Sequence, residues 1–337
     1  MSWLALDIGG ANLKVADGRG FAASRQFPLW QRPHDLAAEL TELIAAAPTA
    51  ERLAVTMTGE LADCFATKAE GVAAILDAVE RAAGGLEVRV YLCNGELATP
   101  NAALAEAMLA AASNWHVLGA FSSRFCAGEP GLLIDIGSTT TDLIPLGENG
   151  PQAVGQTDSE RLVTGALVYT GVERSPLCAI VRELPWRGEP CAVAQELFAT
   201  AGDAYVLLDD LDEDEKSTNA ADGRPRTKAH AHARLARAIC ADVTTFTWDD
   251  ALRAARTVRG AQLDLLESAA RRVVGRMELA PRTIVLSGHG EFLARALVER
   301  LGHSGRLLSL AGELGANVSR CATAHALAVI ARERFGA

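Results

Sequence analysis

The chain of 337 residues carries 42 acidic against 32 basic side chains, a net charge of −10, and so lacks the basic footprint of a duplex nucleic-acid binder. Its composition, 49% hydrophobic and 22% charged, supplies core for two domains or one large one, and no run of about 18 apolar residues marks a membrane span. An anionic ligand has to be held by local donors, because the overall field repels it.

The start, Met1-Ser2-Trp3, lacks a basic stretch with an apolar one behind it, so no secretory leader is expected. Cysteines at 64, 93, 126, 178, 191, 240 and 321 are scattered and form no CxxC. Their pattern reads as reduced, buried thiols of a cytoplasmic protein. In chain order, residues 4–8 form a buried strand and 12–16 its partner across Gly9-Gly10-Ala11. A helix over 35–47 ends at Pro48, 53–57 is a short strand, and a helix over 69–83 is closed by Gly84-Gly85. Residues 88–92 form a strand and 100–113 an alanine-rich helix suited to close packing. After a loop near 124–130, residues 132–136 and 140–146 make a second strand pair. Residues 160–171 read as helix, and a stretch punctuated by Pro176, Pro185 and Pro190 leads to a helix over 191–201. Segment 209–225, first acidic and then rich in Asn, Gly and Pro, is a long loop. Three helical stretches run from 229 to 277 with a break near Thr247; strand 283–286, helix 291–301, strand 306–309 and helix 320–335 close the chain. Strands alternating with helices define an α/β class.

The most informative feature is an internal repeat. Leu4-Ala5-Leu6-Asp7-Ile8-Gly9-Gly10-Ala11-Asn12-Leu13-Lys14-Val15 aligns without gaps on Leu132-Leu133-Ile134-Asp135-Ile136-Gly137-Ser138-Thr139-Thr140-Thr141-Asp142-Leu143. Each copy is an apolar strand ending in Asp-Ile-Gly, a turn of small residues, and a second strand. Glycine permits positive φ and lets an anion approach backbone N–H groups. Hydroxyl and amide side chains add donors, and a strand-end aspartate suits Mg²⁺. One such turn is also what an ordinary hairpin shows, whereas two in register, each opening half of the chain, point to phosphate or diphosphate.

These residues resemble the first and second phosphate loops of the actin, Hsp70 and sugar-kinase superfamily. A third superfamily element, an adenosine-type turn, is matched by Ile284-Val285-Leu286-Ser287-Gly288-His289-Gly290-Glu291. The resemblance implies a two-lobed actin-like ATPase fold with duplicated ribonuclease H-like lobes, 1–130 and 131–337, and helix 320–335 packing back between them. It implies ligand contacts from Gly9, Gly10, Asn12, Gly137, Ser138, Thr139, Thr140, Thr141, Ser287, Gly288 and Gly290.

Within that class, the two repeat segments, together with Val55-Thr56-Met57-Thr58-Gly59-Glu60-Leu61 and Leu167-Val168-Tyr169-Thr170-Gly171-Val172, are similar to a hydantoinase/oxoprolinase-related group. Its members are tetrahydromethanopterin-linked one-carbon transfer proteins, with archaeal relatives in methanofuran biosynthesis. The resemblance implies a condensation in which the phenol of γ-glutamyltyramine displaces diphosphate from an aminomethylfuran-methyl diphosphate. Diphosphate departure calls for N–H cradles, a cation and Mg²⁺. Lys14 is then the point cation, Asp7 and Asp135 the metal contacts, and Asp142 a third carboxylate beside them. A phenol with pKa about 10 benefits from a base, for which Glu60, close to Thr58, is the first candidate; its alternative is a carboxylate at a helix N-terminus.

Asn94 in Asn94-Gly95-Glu96 follows a strand and is either a substrate contact or a plain turn. Asp158 or Ser159 reads as a helix cap. Arg224, Arg226 and Lys228 lie beside turn residues and are candidates to clamp diphosphate or a substrate carboxylate when the lobes close. The acidic run 209–216 lacks EF-hand spacing and reads as a solvated loop. His230 and His232 point to different helix faces, and His289 sits inside the third turn, either touching a ligand or packing the turn. The leading expectation is a small-molecule transferase, with no nucleic-acid or membrane partner and a homodimer compatible with the sequence. An ATP-dependent kinase or ATPase of the same fold is the alternative, and a filament or sensor protein the third reading.

Overall fold

The computed structural model describes residues 2–152 and 155–336. The first sheet is built from β1 (Trp3–Ile8), β2 (Asn12–Ala16), β3 (Ala22–Gln26), β4 (Arg52–Met57), β5 (Glu87–Tyr91) and β6 (Leu97–Ala98), in the order β3-β2-β1-β4-β5-β6. The second contains β7 (Gly131–Ile136), β8 (Thr141–Gly147), β9 (Gly150–Pro151) and β10 (Leu167–Val168). A small separate hairpin, β11 (Glu183–Trp186) and β12 (Glu189–Ala192), precedes β13 (Thr283–Ser287) and β14 (Arg306–Ser309). The second sheet runs β10-β8-β7-β13-β14, with β9 on β8.

The repeat seen in the sequence is thus a repeat of topology. In each sheet the strand ending in Asp-Ile-Gly pairs antiparallel with the strand after its turn and parallel with a later one, β4 or β13. Equivalent cross-strand neighbours are Asp7 with Lys14 and Asp135 with Asp142. The architecture is the two-lobed actin-like α/β fold expected. β1 and β7 read as unbroken apolar runs because helices cover both faces of their sheets.

Two helices bind the halves together. Helix Asn114–Ser122 lies on β8 and β9, while helix Ala322–Phe335 lies on β1, β2 and β4, and the two pack on each other. Alanines at 322, 324, 326, 328 and 331 are buried, which lets the closing helix approach the sheet closely. Trp3 stacks on Phe335 at 5.5 Å and Phe121 meets His325 edge-on at 5.6 Å. The shared core between the sheets also takes Tyr91, Trp115, Leu133, Ile144, Val285 and Leu308.

Several expected elements differ. The alanine-rich helix over 100–113 is two short helices, Pro100–Ala105 and Ala107–Ala110, broken at Glu106 and ended before Ala112 at φ 49°. Helix Asn114–Ser122 was not anticipated, since its apolar residues face two partners and leave no clear stripe. Helix 160–171 is Asp158–Thr164, stopped by Gly165 at φ 86°, and then β10. The expected helix over 191–201 is β12 followed by irregular chain; Gly188 at φ 86° turns the hairpin and cross-strand pairing overrides alanine content. The three stretches over 229–277 are two helices, Lys228–Ala238 and the 27-residue Trp248–Val274, the latter started by a Thr247–Asp250 capping box. β3 is an edge strand too polar to stand out in sequence. Among the described residues no helix is long and apolar enough to cross a membrane.

Burial lowers the His116 imidazole from 6.5 to about 4, with Arg161 adding to the effect. Its Nδ1 lies 3.0 Å from the Tyr91 hydroxyl. Because the folded value is depressed, the unfolded chain takes up the proton first. The stability is therefore complete above pH 6.5 and declines as pH falls toward 4. Urea unfolding at pH 7, 5.5 and 4.5 should show this loss, up to about 3 kcal/mol, and His116→Gln should flatten that part of the profile.

Candidate active site

Both repeat turns are closed by the same bond. Gly9 N–H donates to Asn12 O at 3.0 Å, and Gly137 N–H donates to Thr140 O at 2.9 Å. Neither Gly9, Gly10 nor Gly137 has positive φ, contrary to the sequence expectation. Space is tight only at some of the glycines: a Cβ on Gly9 would stand 3.0 Å from Asn12 O and one on Gly171, behind the second turn, 2.5 Å from Gly137 O and Thr139 N, whereas Gly10 and Gly137 have room for one.

The turn carbonyls are tied back by neighbouring chain. Ile8 O accepts from Thr58 and Gly59, Gly10 O from Leu29, and Ala11 O from Phe27. In the second lobe Ile136 O accepts from Gly290, Gly137 O from Val172, and Ser138 O from Glu173 and Arg174. With the carbonyls engaged, the amides of Gly10, Ala11, Ser138 and Thr139 donate to no acceptor among the described residues. Such N–H groups form an anion cradle.

A cleft of about 790 Å³ between the lobes is lined by both turns, through Ala11, Asn12, Gly137 and Ser138, and by Lys14 and Asp135. The third turn enters it through Ser287, Gly288 and His289. Gly288 is at φ 90°, and a Cβ there would lie 2.2 Å from Ile136 O. This turn is therefore built directly onto the second phosphate-type turn, and only glycine fits.

Lys14 Nζ lies 3.9 Å from Asp7 Oδ2. Burial raises the Asp7 carboxyl while Lys14 draws it down. Asp135 is pushed up to about 6, first by burial and then by the charge of Asp142; the Ser287 hydroxyl, Lys14 and His289 oppose the shift. Asp142 itself is committed: Arg161 donates to it from a buried position, with its guanidinium 4.2 Å over the Trp115 ring. A half-buried carboxylate whose charge is penalised, lining the same cleft as the turns, is a donor suited to Mg²⁺. That ion takes one or two carboxylates and shares the substrate's phosphate oxygens. Among the described residues no group of three or more His, Cys, Asp or Glu is placed to hold a metal ion.

The expected residues separate into two groups. Asn12, Lys14, Asp135, Gly137, Ser138, Ser287 and Gly288 line the cleft. Gly9, Gly10, Thr139 and Thr140 complete the turns, and Gly290 ties the third turn to Ile136 O. Thr141 is buried and donates to Thr170 O at 2.8 Å, a structural bond, and Thr58 supports Ile8 O from behind.

Asp7 and Asp142 are buried and do not line the cleft, and Glu60, Asn94, Arg224 and Lys228 lie outside both the turns and the cleft lining. Glu60 is buried behind the first turn; burial raises its carboxyl, and Oε2 has no hydrogen-bond partner among the described residues. Asn94 sits exposed in the turn of the β5–β6 hairpin, accepting from Glu96 N at 3.0 Å. Arg224 is exposed, and Lys228 is paired with Asp209 at 2.5 Å. Asp158 does not cap its helix, which Thr157 caps; it pairs across the lobes with Lys68 at 2.8 Å.

Of the three cations proposed as a clamp, Arg226 alone lines the cleft, which also holds Trp30, Glu173 and Arg174, none of them selected by sequence reasoning. Glu173 and Arg174 lie beyond the sequence repeat; they follow Gly171-Val172, in a segment that backs the second turn as Phe27 and Leu29 back the first, which only the hydrogen bonding reveals. Arg226 lies between Arg224 and Lys228, and its backbone pairs with Asp214, which turns it inward.

The hydantoinase/oxoprolinase family model matches residues 51–333. The chain belongs to that family. It is 29% identical over 335 residues, covering 98% of each chain, to a Methanocaldococcus jannaschii protein named (4-{4-[2-(γ-L-glutamylamino)ethyl]phenoxymethyl}furan-2-yl)methanamine synthase. A Methanococcus vannielii protein of the same name is 28% identical over 208 residues, 61% of this chain and 92% of that one. Solved structures of similar fold include a PilM–PilN type IV pilus biogenesis complex (TM-score 0.52, 15% identity, 98% of each chain). Component A of the Acidaminococcus fermentans (R)-2-hydroxyglutaryl-CoA dehydratase is also similar (TM-score 0.50, 12% identity, 99% of this chain and 98% of that one). At these identities the structural likeness speaks for the fold alone.

Removing one partner of a buried ion pair strands the other charge. Arg161→Met should lower unfolding free energy by about 3–5 kcal/mol, and Arg161→Met with Asp142→Leu should regain most of it, as measured by denaturant titration. Gly171→Ala, which touches no cleft surface, should displace the second turn and weaken pyrophosphate binding by more than about tenfold, a loss of at least about 1.4 kcal/mol, measured by calorimetry.

Proposed function

We propose that this protein is a synthase of a methanofuran-type cofactor pathway. It joins the phenol of γ-glutamyltyramine to the methylene carbon of an aminomethylfuran-methyl diphosphate and releases pyrophosphate. The observation that carries the reading is the pair of matched turns with four unpaired amides, opening on one cleft beside Lys14. The relatives support it: their name describes a phenoxymethyl-furan, the ether such a reaction makes.

In this reading the diphosphate lies between the turns. The amides of Gly10, Ala11, Ser138 and Thr139 and the Lys14 ammonium meet the negative charge that develops as the carbon–oxygen bond breaks. These donors are fixed by the fold before the ligand arrives, so little reorganisation is needed at the moment of reaction. Asp135, with Asp7 behind Lys14, would hold Mg²⁺, which when bound neutralises diphosphate oxygens. A furanylmethyl carbon carries positive charge well, so leaving-group stabilisation does most of the chemistry. Lobe closure would keep water from the electrophilic carbon.

One observation favours a second reading, an ATP-dependent kinase or ATPase: the Gly288 turn lines the same cleft. Melting temperature with Mg²⁺ and either pyrophosphate or ATP separates the two. A ligand at about 100 times its Kd stabilises by about 2.7 kcal/mol. Pyrophosphate should give the larger rise; tight ATP binding with hydrolysis would replace the transferase reading. Lys14→Met should lower kcat for pyrophosphate release by about 10²–10³ while the fold, followed by circular dichroism, stays intact.

A further inference from the structure

We infer that His289, oriented by Glu173, is the general base that removes the phenolic proton of the acceptor. The inference rests on the transferase reading above. His289 Nδ1 lies 3.5 Å from Glu173 Oε1, and Glu173 Oε2 lies 3.3 Å from Arg226. Burial pushes the Glu173 carboxyl up, but the hydrogen bond from His289 and the Arg226 charge outweigh it, and its net direction is down. Glu173 is therefore a carboxylate, which can only accept, and this places the ring proton on Nδ1. Nε2 is left as the lone-pair nitrogen. It has no partner among the described residues, on a side chain 42% exposed to the cleft. A base held in one tautomer by a third group, and open to substrate, is the arrangement proton abstraction needs.

The surroundings place an acceptor there. Trp30 lines the same cleft, with the Arg174 guanidinium 5.1 Å over its ring, and offers an aromatic surface for a planar phenol. His289 shares its turn with Gly288, which packs on Asp135, so a phenol at Nε2 lies beside the diphosphate cradle. The charged groups that line the cleft with His289 are Glu173 and Arg174 after β10, Arg226 and Asp214 from the long loop, Asp135 on β7, Lys14 on β2, and Arg320 before the closing helix. Glu60, the carboxyl the sequence favoured for this task, is buried and outside the cleft lining.

In the step, the phenolic O–H proton passes to Nε2 and the phenolic oxygen attacks the furanylmethyl carbon. The carbon–oxygen bond to diphosphate breaks, and its electron pair leaves with diphosphate. The imidazolium then returns the proton to solvent.

The test follows pyrophosphate release from a furanylmethyl diphosphate with γ-glutamyltyramine between pH 5 and 10, in wild type, His289→Gln, Glu173→Gln and Glu60→Gln. Wild-type kcat/KM should show an acid limb. His289→Gln should lose about 10²–10⁴ in rate near neutral pH and lose that limb. Its residual rate should climb about tenfold per pH unit toward the phenol's own pKa, about 10, and an acceptor carrying a fluorinated, more acidic phenol should recover much of the deficit. Glu173→Gln should move the limb to lower pH, because the imidazolium loses its carboxylate. Undiminished thermal stabilisation of His289→Gln by Mg²⁺ and pyrophosphate would show that its cleft is intact. The assignment is overturned if His289→Gln keeps the wild-type limb and rate, or if Glu60→Gln abolishes the limb instead. Absence of pyrophosphate release from wild type would sink the transferase reading itself, and this assignment with it.

Discussion

On an acidic chain, positive potential has to be concentrated locally in a small volume, and in the two matched turns backbone amides do so. Amides can serve only if their own carbonyl neighbours are satisfied elsewhere, since a turn left to itself bonds internally or to water. The fold meets this condition in both lobes by the same means. A segment following an adjacent strand, Thr58-Gly59 in one lobe and Gly290 in the other, donates to the last carbonyl of the Asp-Ile-Gly strand. A second segment, Phe27 and Leu29 or Val172 to Arg174, donates to the carbonyls of the turn. What remains unpaired is a set of N–H groups facing one cleft.

The glycines follow from this constraint. Gly171 and Gly288 are needed because backbone from a neighbouring segment passes within contact of the turn, and a Cβ would occupy that space. The third turn, with its histidine, is held against the second turn for the same reason. His289 is thus positioned by the same element that backs the second turn, through the bond from Gly290 N–H to Ile136 O.

The carboxylates around the cleft have unequal roles, and the difference lies in their partners. Asp142 is neutralised by Arg161 and belongs to the framework that joins helix Asn114–Ser122 to the second lobe through Trp115. Asp135, its cross-strand neighbour, has only hydroxyl help and distant cations, and its charge is costly in the absence of a ligand. Lys68 and Asp158 bridge the lobes on the opposite side of this framework, close to the buried Glu60.

The sequence by itself determined the duplication, the strand–turn–strand units, the third turn and the class of fold. Those features depend on local rules: apolar runs, small residues at tight turns, and a pattern repeated in register. It also named Lys14, Asp135, Asn12 and Ser138, because they lie within the repeat. The tertiary structure decided which other polar residues share the cleft. Arg226 enters it while Arg224 and Lys228 do not, since pairing with Asp214 turns the strand of the loop. Glu60 and His289 occupy related places after parallel strands, yet packing buries one and opens the other to the ligand. Side-chain burial and partner choice arise from contacts between segments far apart in the chain, and no local pattern encodes them.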